Sequence, residues 1–297
     1  MIRELVIGAS GLVGSHLYRI ARRSGSAVVG TYWSHPLPGL RFLDIRESDA
    51  VERLLEEFDP EVIYLPAARP NVDWVEEHPA ESRLVNVEGP LQLIRLLRGS
   101  RRKLVYYSSD YVFDGEAGPY DESDVPHPIN EYGRQKLAVE RAIQENLDLW
   151  LILRVTVVYG WEQEGKNFAQ RALRVLRAGG TVKAPTDQLG NPTYASNLAE
   201  ASRELALRGF VGLFHLAGPE RVSRYEFARE LARVFELNEE RVLPVKTSEL
   251  NQKAKRPLNA GMVVTKAQAV LNVRLLGYKE GLSQMKSEVL YCDDGCA

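Results

Sequence analysis

Cysteine is nearly absent from this chain of 297 residues: the two present, Cys292 and Cys296, both fall in the last six positions. That excludes a disulfide framework and fits a reducing, cytoplasmic setting. No histidine accompanies the C-x3-C spacing, so a frayed end explains it better than a metal site, and no metal is expected. Long apolar runs are missing too. None approaches the roughly 20 residues of a membrane span, and Met1-Ile-Arg-Glu-Leu-Val-Ile enters an apolar strand directly, with no signal-peptide pattern. The chain also lacks an excess of charge of either sign. Lys and Arg total 38 against 40 Asp and Glu, a formal net charge of -2, so neither nucleic acid nor an anionic membrane is expected as a partner. The triplet Arg101-Arg102-Lys103 reads as a solvated turn before a strand. What is present is a 44% hydrophobic chain, enough for a substantial core in one large or two closely joined units.

The first half alternates buried strands with amphipathic helices. Leu5-Val-Ile7, Ala27-Val-Val29, Glu61-Val-Ile-Tyr-Leu65, Lys103-Leu-Val-Tyr-Tyr107 and Trp150-Leu-Ile-Leu153 carry the strand pattern. Leu12–Arg23, Ser48–Phe58, Glu81–Arg98 and Glu131–Asn146 carry helical periodicity. The alternation predicts an α/β fold with a Rossmann-type, doubly wound parallel sheet. Ligands in such sheets bind beyond the carboxyl ends of the strands. From about residue 160 the pattern loosens into helices over 167–178, 196–207 and 223–235 with short strand-like pieces such as Gly212-Leu-Phe-His215. The expected organisation is a dinucleotide-binding domain over 1–160, a smaller C-terminal α/β substrate-binding lobe over 161–290 with room for chain exchange between the two, and a tail over 291–297.

Gly8, Gly11 and Gly14 follow a strand and open a helix, a GxxGxxG spacing one residue wider at its first gap than GxGxxG. Such glycines permit a tight turn and backbone approach to a pyrophosphate, which would meet the helix start at Leu12 and Val13. An Asp or Glu about 20 residues on usually holds the ribose hydroxyls of NAD. Here the second strand runs into Gly30-Thr-Tyr-Trp-Ser34-His35 with no carboxylate. That leans toward NADP(H), with NAD(H) still open, and leaves Ser34 and His35 as the groups suited to a 2′-phosphate. Asp44-Ile45 could border the adenine or simply lead a helix. Ala67-Ala68 falls at the end of the third strand and Ser108-Ser109-Asp110 at the end of the fourth.

Tyr132 and Lys136 are four residues apart on one face of a predicted helix. A cation beside a phenol favours phenolate, so Lys136 is expected to lower the Tyr132 pKa toward neutrality. A free phenol titrates near pH 10 and needs that help to exchange protons at physiological pH.

These motifs together resemble the extended short-chain dehydrogenase/reductase family, and within it the dTDP-4-dehydrorhamnose reductases and their relatives. The likeness is carried by Ser108-Ser-Asp-Tyr-Val-Phe-Asp-Gly115, Pro119-Tyr-Asp-Glu122, Pro128 and Tyr132-Gly-Arg-Gln-Lys136-Leu. It extends through Val85-Asn86, Leu153-Arg-Val-Thr-Val-Val-Tyr-Gly160, Asn167-Phe168, Asn191-Pro-Thr193 and Arg256-Pro257. The resemblance implies dTDP-rhamnose-type chemistry, in which a hydride passes from the nicotinamide to the C4 carbonyl of a nucleotide-linked deoxy sugar. Tyr132 would donate the proton, Ser109 would bond the same oxygen, and Lys136 would tune Tyr132 and grip the ribose. Ser108, Asp110, Arg69, Trp161, Asn167, Asn191, Thr193 and Arg256 would face the substrate, with Arg256 on the diphosphate. Trp161 could instead cover the domain junction, Asn86 could serve a proton relay or only pack a helix, and His215 reads as a core residue. A homodimer is compatible with the resemblance.

Sugar-nucleotide 4,6-dehydratases, a neighbouring class, carry Glu where this chain has Tyr111, which favours simple carbonyl reduction. Pro66 and Arg69 depart from the reductase pattern. There the chain is similar to the regulatory β subunit of methionine adenosyltransferase, so a non-catalytic, NADP-binding regulatory subunit is the second expectation.

Overall fold

The computed structural model describes residues 1–293; Cys296 and the Cys292 side chain lie outside the described residues. In chain order the strands are β1 (Arg3–Val6), β2 (Ala27–Tyr32), β3 (Arg41–Phe42), β4 (Val62–Leu65), β5 (Lys103–Ser109), β6 (Trp150–Val155), β7 (Val158–Tyr159), β8 (Val182–Pro185), β9 (Leu189–Gly190), β10 (Thr193–Tyr194), β11 (Gly212–His215), β12 (Val222–Ser223) and β13 (Val242–Val245). The α-helices are α1 (Leu12–Arg23), α2 (Ser48–Phe58), α3 (Val72–Glu77), α4 (Pro79–Arg83), α5 (Gly89–Leu97), α6 (Glu131–Asn146), α7 (Phe168–Arg177), α8 (Ala195–Leu207), α9 (Arg224–Val234), α10 (Thr265–Val270) and α11 (Tyr278–Asp293). The last helix thus takes in the first residues of the expected tail.

Seven strands make the main sheet in the order β11-β6-β5-β4-β1-β2-β3, and every neighbouring pair is parallel. The order reverses between β1 and β4, which opens a crevice at their carboxyl ends. The period-two geometry of a strand sends successive side chains to opposite faces. Val6, Tyr64, Val105, Tyr107, Leu151 and Leu153 enter one core with α1 and α8. Leu5, Ile63, Leu65, Leu104, Tyr106 and Ile152 enter the other with α2, α5 and α6. Both faces are covered, which is why these strands read as continuous apolar runs.

The predicted helix over 81–98 is present as an unbroken helical run over Pro79–Leu97, but it is not α-helical throughout. Residues Leu84–Glu88 form a π-helical segment between α4 and α5. Pro90 has no N–H and its ring crowds the carbonyl four residues earlier, so a regular α-ladder cannot run through it. The wider turn aims the buried Asn86 at the loop after β4: it accepts from the Arg69 N–H at 2.7 Å and donates to Gln135 at 2.9 Å.

A third core, with Tyr159, Leu173, Phe227 and Met285, belongs to the smaller lobe. The boundary at residue 160 does not separate two cores, however. Leu198 of α8, Phe214 of β11 and Ala267 of α10 all lie in the main core, and β11 pairs with β6.

Two buried ion pairs tie elements together. Arg203 of α8 holds Glu4 of β1, with Arg203 Nη2 2.9 Å from Glu4 Oε1. Arg154 of β6 grips Glu140 of α6 through two bonds of 3.0 and 2.8 Å, and the Ser108 hydroxyl of β5 donates to the same carboxylate. Glu140→Ala, which leaves the Arg154 guanidinium buried without its anion, is expected to cost about 3–5 kcal/mol of folding stability. Urea denaturation followed by circular dichroism measures it; a loss near zero would show that the carboxylate does not brace the sheet.

Candidate functional site

The crevice begins at the turn from β1 to α1. A Cβ on Gly14 would lie 2.1 Å from the Gly8 carbonyl oxygen, so the helix start can pack on the strand end only without a side chain there. Ala67, directly after β4, closes over Gly8 from the other side. Helix α1 starts at Gly11 with no side-chain cap and no acid in its first turn. The N–H groups of Leu12 and Val13 therefore stand at an uncapped, positive helix end. This cradle fits the pyrophosphate of a dinucleotide. Ala68 leads into Arg69, whose backbone is held on both sides by Asn86.

At the β2 end the structure corrects the expectation for the 2′-phosphate. Ser34 and His35 bond each other at 2.7 Å, and the other His35 nitrogen meets Glu164 of the smaller lobe at 2.9 Å. Both side chains are committed, and a carboxylate stands beside them. Asp44 is taken by Arg46 through bonds of 2.5 to 3.1 Å, and these hold its carboxyl below the usual range. Ile45 is buried against the start of α5 at Gly89.

The catalytic candidates converge where α6 lies on the end of β5. Asn130 caps α6, accepting from the Gly133 N–H at 2.9 Å, and donates to the Lys255 carbonyl at 2.9 Å. A Cβ on Gly133 would lie 2.0 Å from the Tyr111 carbonyl oxygen. Glycine at that position lets the helix sit directly on the Asp110–Val112 turn, and the rings of Tyr111 and Tyr132 meet edge to face at 5.9 Å. Ser109 donates to Asp110 at 2.9 Å and accepts from the Tyr111 N–H at 3.2 Å. Thr156 donates to the other Asp110 oxygen at 2.7 Å. Ser108 is turned the other way, onto Glu140, and presents no hydroxyl to the crevice.

Lys136 lies beneath Tyr132. Its ammonium is 5.7 Å from the Tyr132 ring centroid and donates to the Tyr107 carbonyl at 2.7 Å. The expected depression of the tyrosine pKa is not what the structure shows. Burial pushes Tyr132 up, with the charges of Asp110 and Tyr111 adding to the effect. Burial also lowers Lys136 to about 8, against the pull of Glu140. Desolvation of the fully buried phenol is the largest of these effects. The phenol is thereby kept protonated, the form a proton donor needs.

Four residues expected to face the substrate hold the fold together instead. Asn191 donates to Gly218 at 2.8 Å and accepts from the Met262 N–H at 2.8 Å. Thr193 donates to the Thr156 carbonyl at 2.7 Å. Asn167 caps α7 and bonds Gly160 and Glu162. Trp161 donates to the Met285 carbonyl at 2.7 Å, covering the junction with α11. Arg256 is buried and paired with Asp73 at 2.9 Å. It stands beside Tyr111, and so does Arg224 of α9, a residue the sequence reading missed. Burial lowers the Arg224 pKa, Tyr111 and Asp110 draw it back, and Arg171 and Arg256 press it further down. Among the described residues Arg224 has no carboxylate in salt-bridge contact. Its sequence signal, a position just inside the Ser223 capping box, marks only a helix start.

Comparison with known proteins gives the family. Residues 2–291 match the RmlD substrate binding domain family. The chain belongs to that family. It is 35% identical to a probable low-salt glycan biosynthesis reductase of Haloferax volcanii, over 90% of this chain and 91% of that one. Methionine adenosyltransferase 2 subunit beta of Xenopus laevis is 32% identical over 90% of this chain and 81% of its own. Among solved structures, the dTDP-4-dehydrorhamnose reductase of Bacillus anthracis in complex with NADP superposes with a TM-score of 0.88 at 27% identity, covering 97% of this chain and all of that one. The RmlD-family fold, with its seven-stranded parallel sheet, is thus shared along nearly the whole length. Among the described residues no helix is long and apolar enough to cross a membrane.

The buried Lys136 implies a stability cost. In the fold it titrates at about 8, below the 10.5 of a solvated lysine. The charge therefore destabilises the fold fully below pH 8, and the cost fades as pH rises toward 10.5. Lys136→Met is expected to gain about 1–3 kcal/mol at pH 7, reduced by the lost bond to Tyr107, and distinctly less at pH 9.5. Thermal melts at the two pH values test this; an equal effect at both would refute the assignment.

Proposed function

We propose that this RmlD-family protein is an NAD(P)H-dependent reductase of a 4-keto-6-deoxy sugar nucleotide. The observation that carries the reading is the convergence of Ser109, Tyr132 and Lys136 beside an uncapped glycine-rich helix start, with Arg224 and Arg256 around Tyr111. A nicotinamide dinucleotide, when bound, supplies the hydride. Leu12, Val13 and the glycine turn hold its pyrophosphate. Lys136 lies where it can hold the nicotinamide ribose. The Tyr132 phenol donates its proton to the oxygen developing at C4, and the Ser109 hydroxyl exchanges its bond to Asp110 for one donated to that oxygen, a contribution of about 2.7–4 kcal/mol for one donor. Until then Asp110, itself held by Thr156, keeps the Ser109 hydroxyl in place. Arg224, without an ion pair of its own, takes the nucleotide diphosphate, and Arg256 supports it while shared with Asp73.

Similarity to the methionine adenosyltransferase β subunits at 32% identity favours a second reading, a dinucleotide-binding regulatory subunit. Oxidation of NADPH and NADH against a panel of 4-keto-6-deoxy sugar nucleotides separates the two. Turnover is expected, and its complete absence alongside tight dinucleotide binding would establish the regulatory reading instead. Tyr132→Phe should leave dinucleotide affinity intact and lower turnover by about 10²- to 10⁴-fold; near wild-type turnover would remove Tyr132 from the chemistry. Arg224→Ala should raise KM for the sugar nucleotide by about 10- to 100-fold with dinucleotide affinity unchanged, and an unchanged KM would take it out of the site.

A further inference from the structure

Arg69 was expected beside the sugar. It turns instead toward the β2 end of the crevice. Its guanidinium lies 4.6 Å from the Trp33 ring centroid and 5.6 Å from that of Trp74. Arg46 reaches the same Trp33 at 5.4 Å. Trp33 follows β2 directly, at the position where residues of a doubly wound sheet meet the adenosine ribose. The nearby charges are accounted for. Asp44 is bonded to Arg46, and Glu164 to His35 and Lys166. Among the described residues the Arg69 guanidinium has neither an ion pair nor a hydrogen bond, while its backbone is clamped by Asn86. It is a pre-positioned, unspent cation on an aromatic platform.

We propose that Arg69, supported by Arg46 across Trp33, selects a dinucleotide carrying a 2′-phosphate, so that the cation reading this group arrives from the end of β4 rather than from β2. The assignment rests on the dinucleotide reading of the crevice but not on any turnover. A guanidinium binds phosphate through paired, charge-assisted bonds. The Asn86 clamp limits the ordering cost of that contact.

The test uses adenosine 2′,5′-bisphosphate and adenosine 5′-monophosphate, which differ only in the 2′-phosphate, titrated calorimetrically into the full chain. Arg69→Ala is expected to weaken the bisphosphate about 10- to 100-fold and the monophosphate less than about threefold. Arg69→Lys, with its melting temperature checked against wild type, should retain part of the preference. Replacing Ser34 and His35 with Ala should leave the ratio unchanged. The inference is overturned if Arg69→Ala preserves the bisphosphate preference, if it weakens both ligands equally, or if the Ser34/His35 variant loses the preference. If neither mononucleotide binds the wild type, the dinucleotide reading falls with it. A preference present in wild type and lost in Arg69→Ala supports the inference whether or not the protein turns over a sugar nucleotide.

Discussion

The buried pair of Glu140 and Arg154 is the constraint on which the site depends. Glu140 belongs to the helix that carries Tyr132 and Lys136, Arg154 to β6 beside β5, and Ser108 of β5 donates to the same carboxylate. Two strands and a helix are therefore registered by one carboxylate. Burial makes the interaction directional: an ammonium or guanidinium in this interior has no solvent to fall back on, so it stays where its partner is. Glu140 is also one turn from Lys136 and supports the lysine's charge against desolvation. The same anion thus bears on both the position of α6 and the charge of its lysine.

Electrostatically, the site divides into two regions. Around Tyr132 burial dominates: it pushes up the phenol and the neighbouring Asp110 carboxyl and lowers the Lys136 ammonium. Around Tyr111 charges of both signs meet, Arg224 and Arg256 against Asp110 and Asp73.

Much of the framework was legible in the chain. Helices at 12–23, 48–58 and 131–146 and the strand at 212–215 match the observed spans, because each is bounded by caps or glycine turns and has one clear period. The helix at 81–98 is present, but the π turn at Leu84–Glu88 ahead of Pro90 is a feature that hydrophobic spacing does not report. The placement of Tyr132 over Lys136 was legible because the two lie one helical turn apart. The substrate side was not. Asn167, Asn191 and Thr193 carry polar groups that a sequence cannot assign to ligand or to backbone, and here the backbone takes them. Arg69 and Trp33 lie 36 positions apart in the sequence, and only the folded sheet brings them together.

The interleaving of the two cores has a mechanical outcome. Residues 195–217 and 262–275 return to the main sheet, while 222–245 and 276–285 pack in the smaller lobe. The lobes are stitched by several strands of chain rather than joined by one hinge. Relative motion must bend all of these connections together, so the walls of the crevice behave as a stiff, shallow-travel vice. For the same reason the chain offers no place at which a single cut would yield two self-sufficient pieces: removing everything after residue 160 would strip β11 from the sheet and leave β6 as a bare, apolar edge.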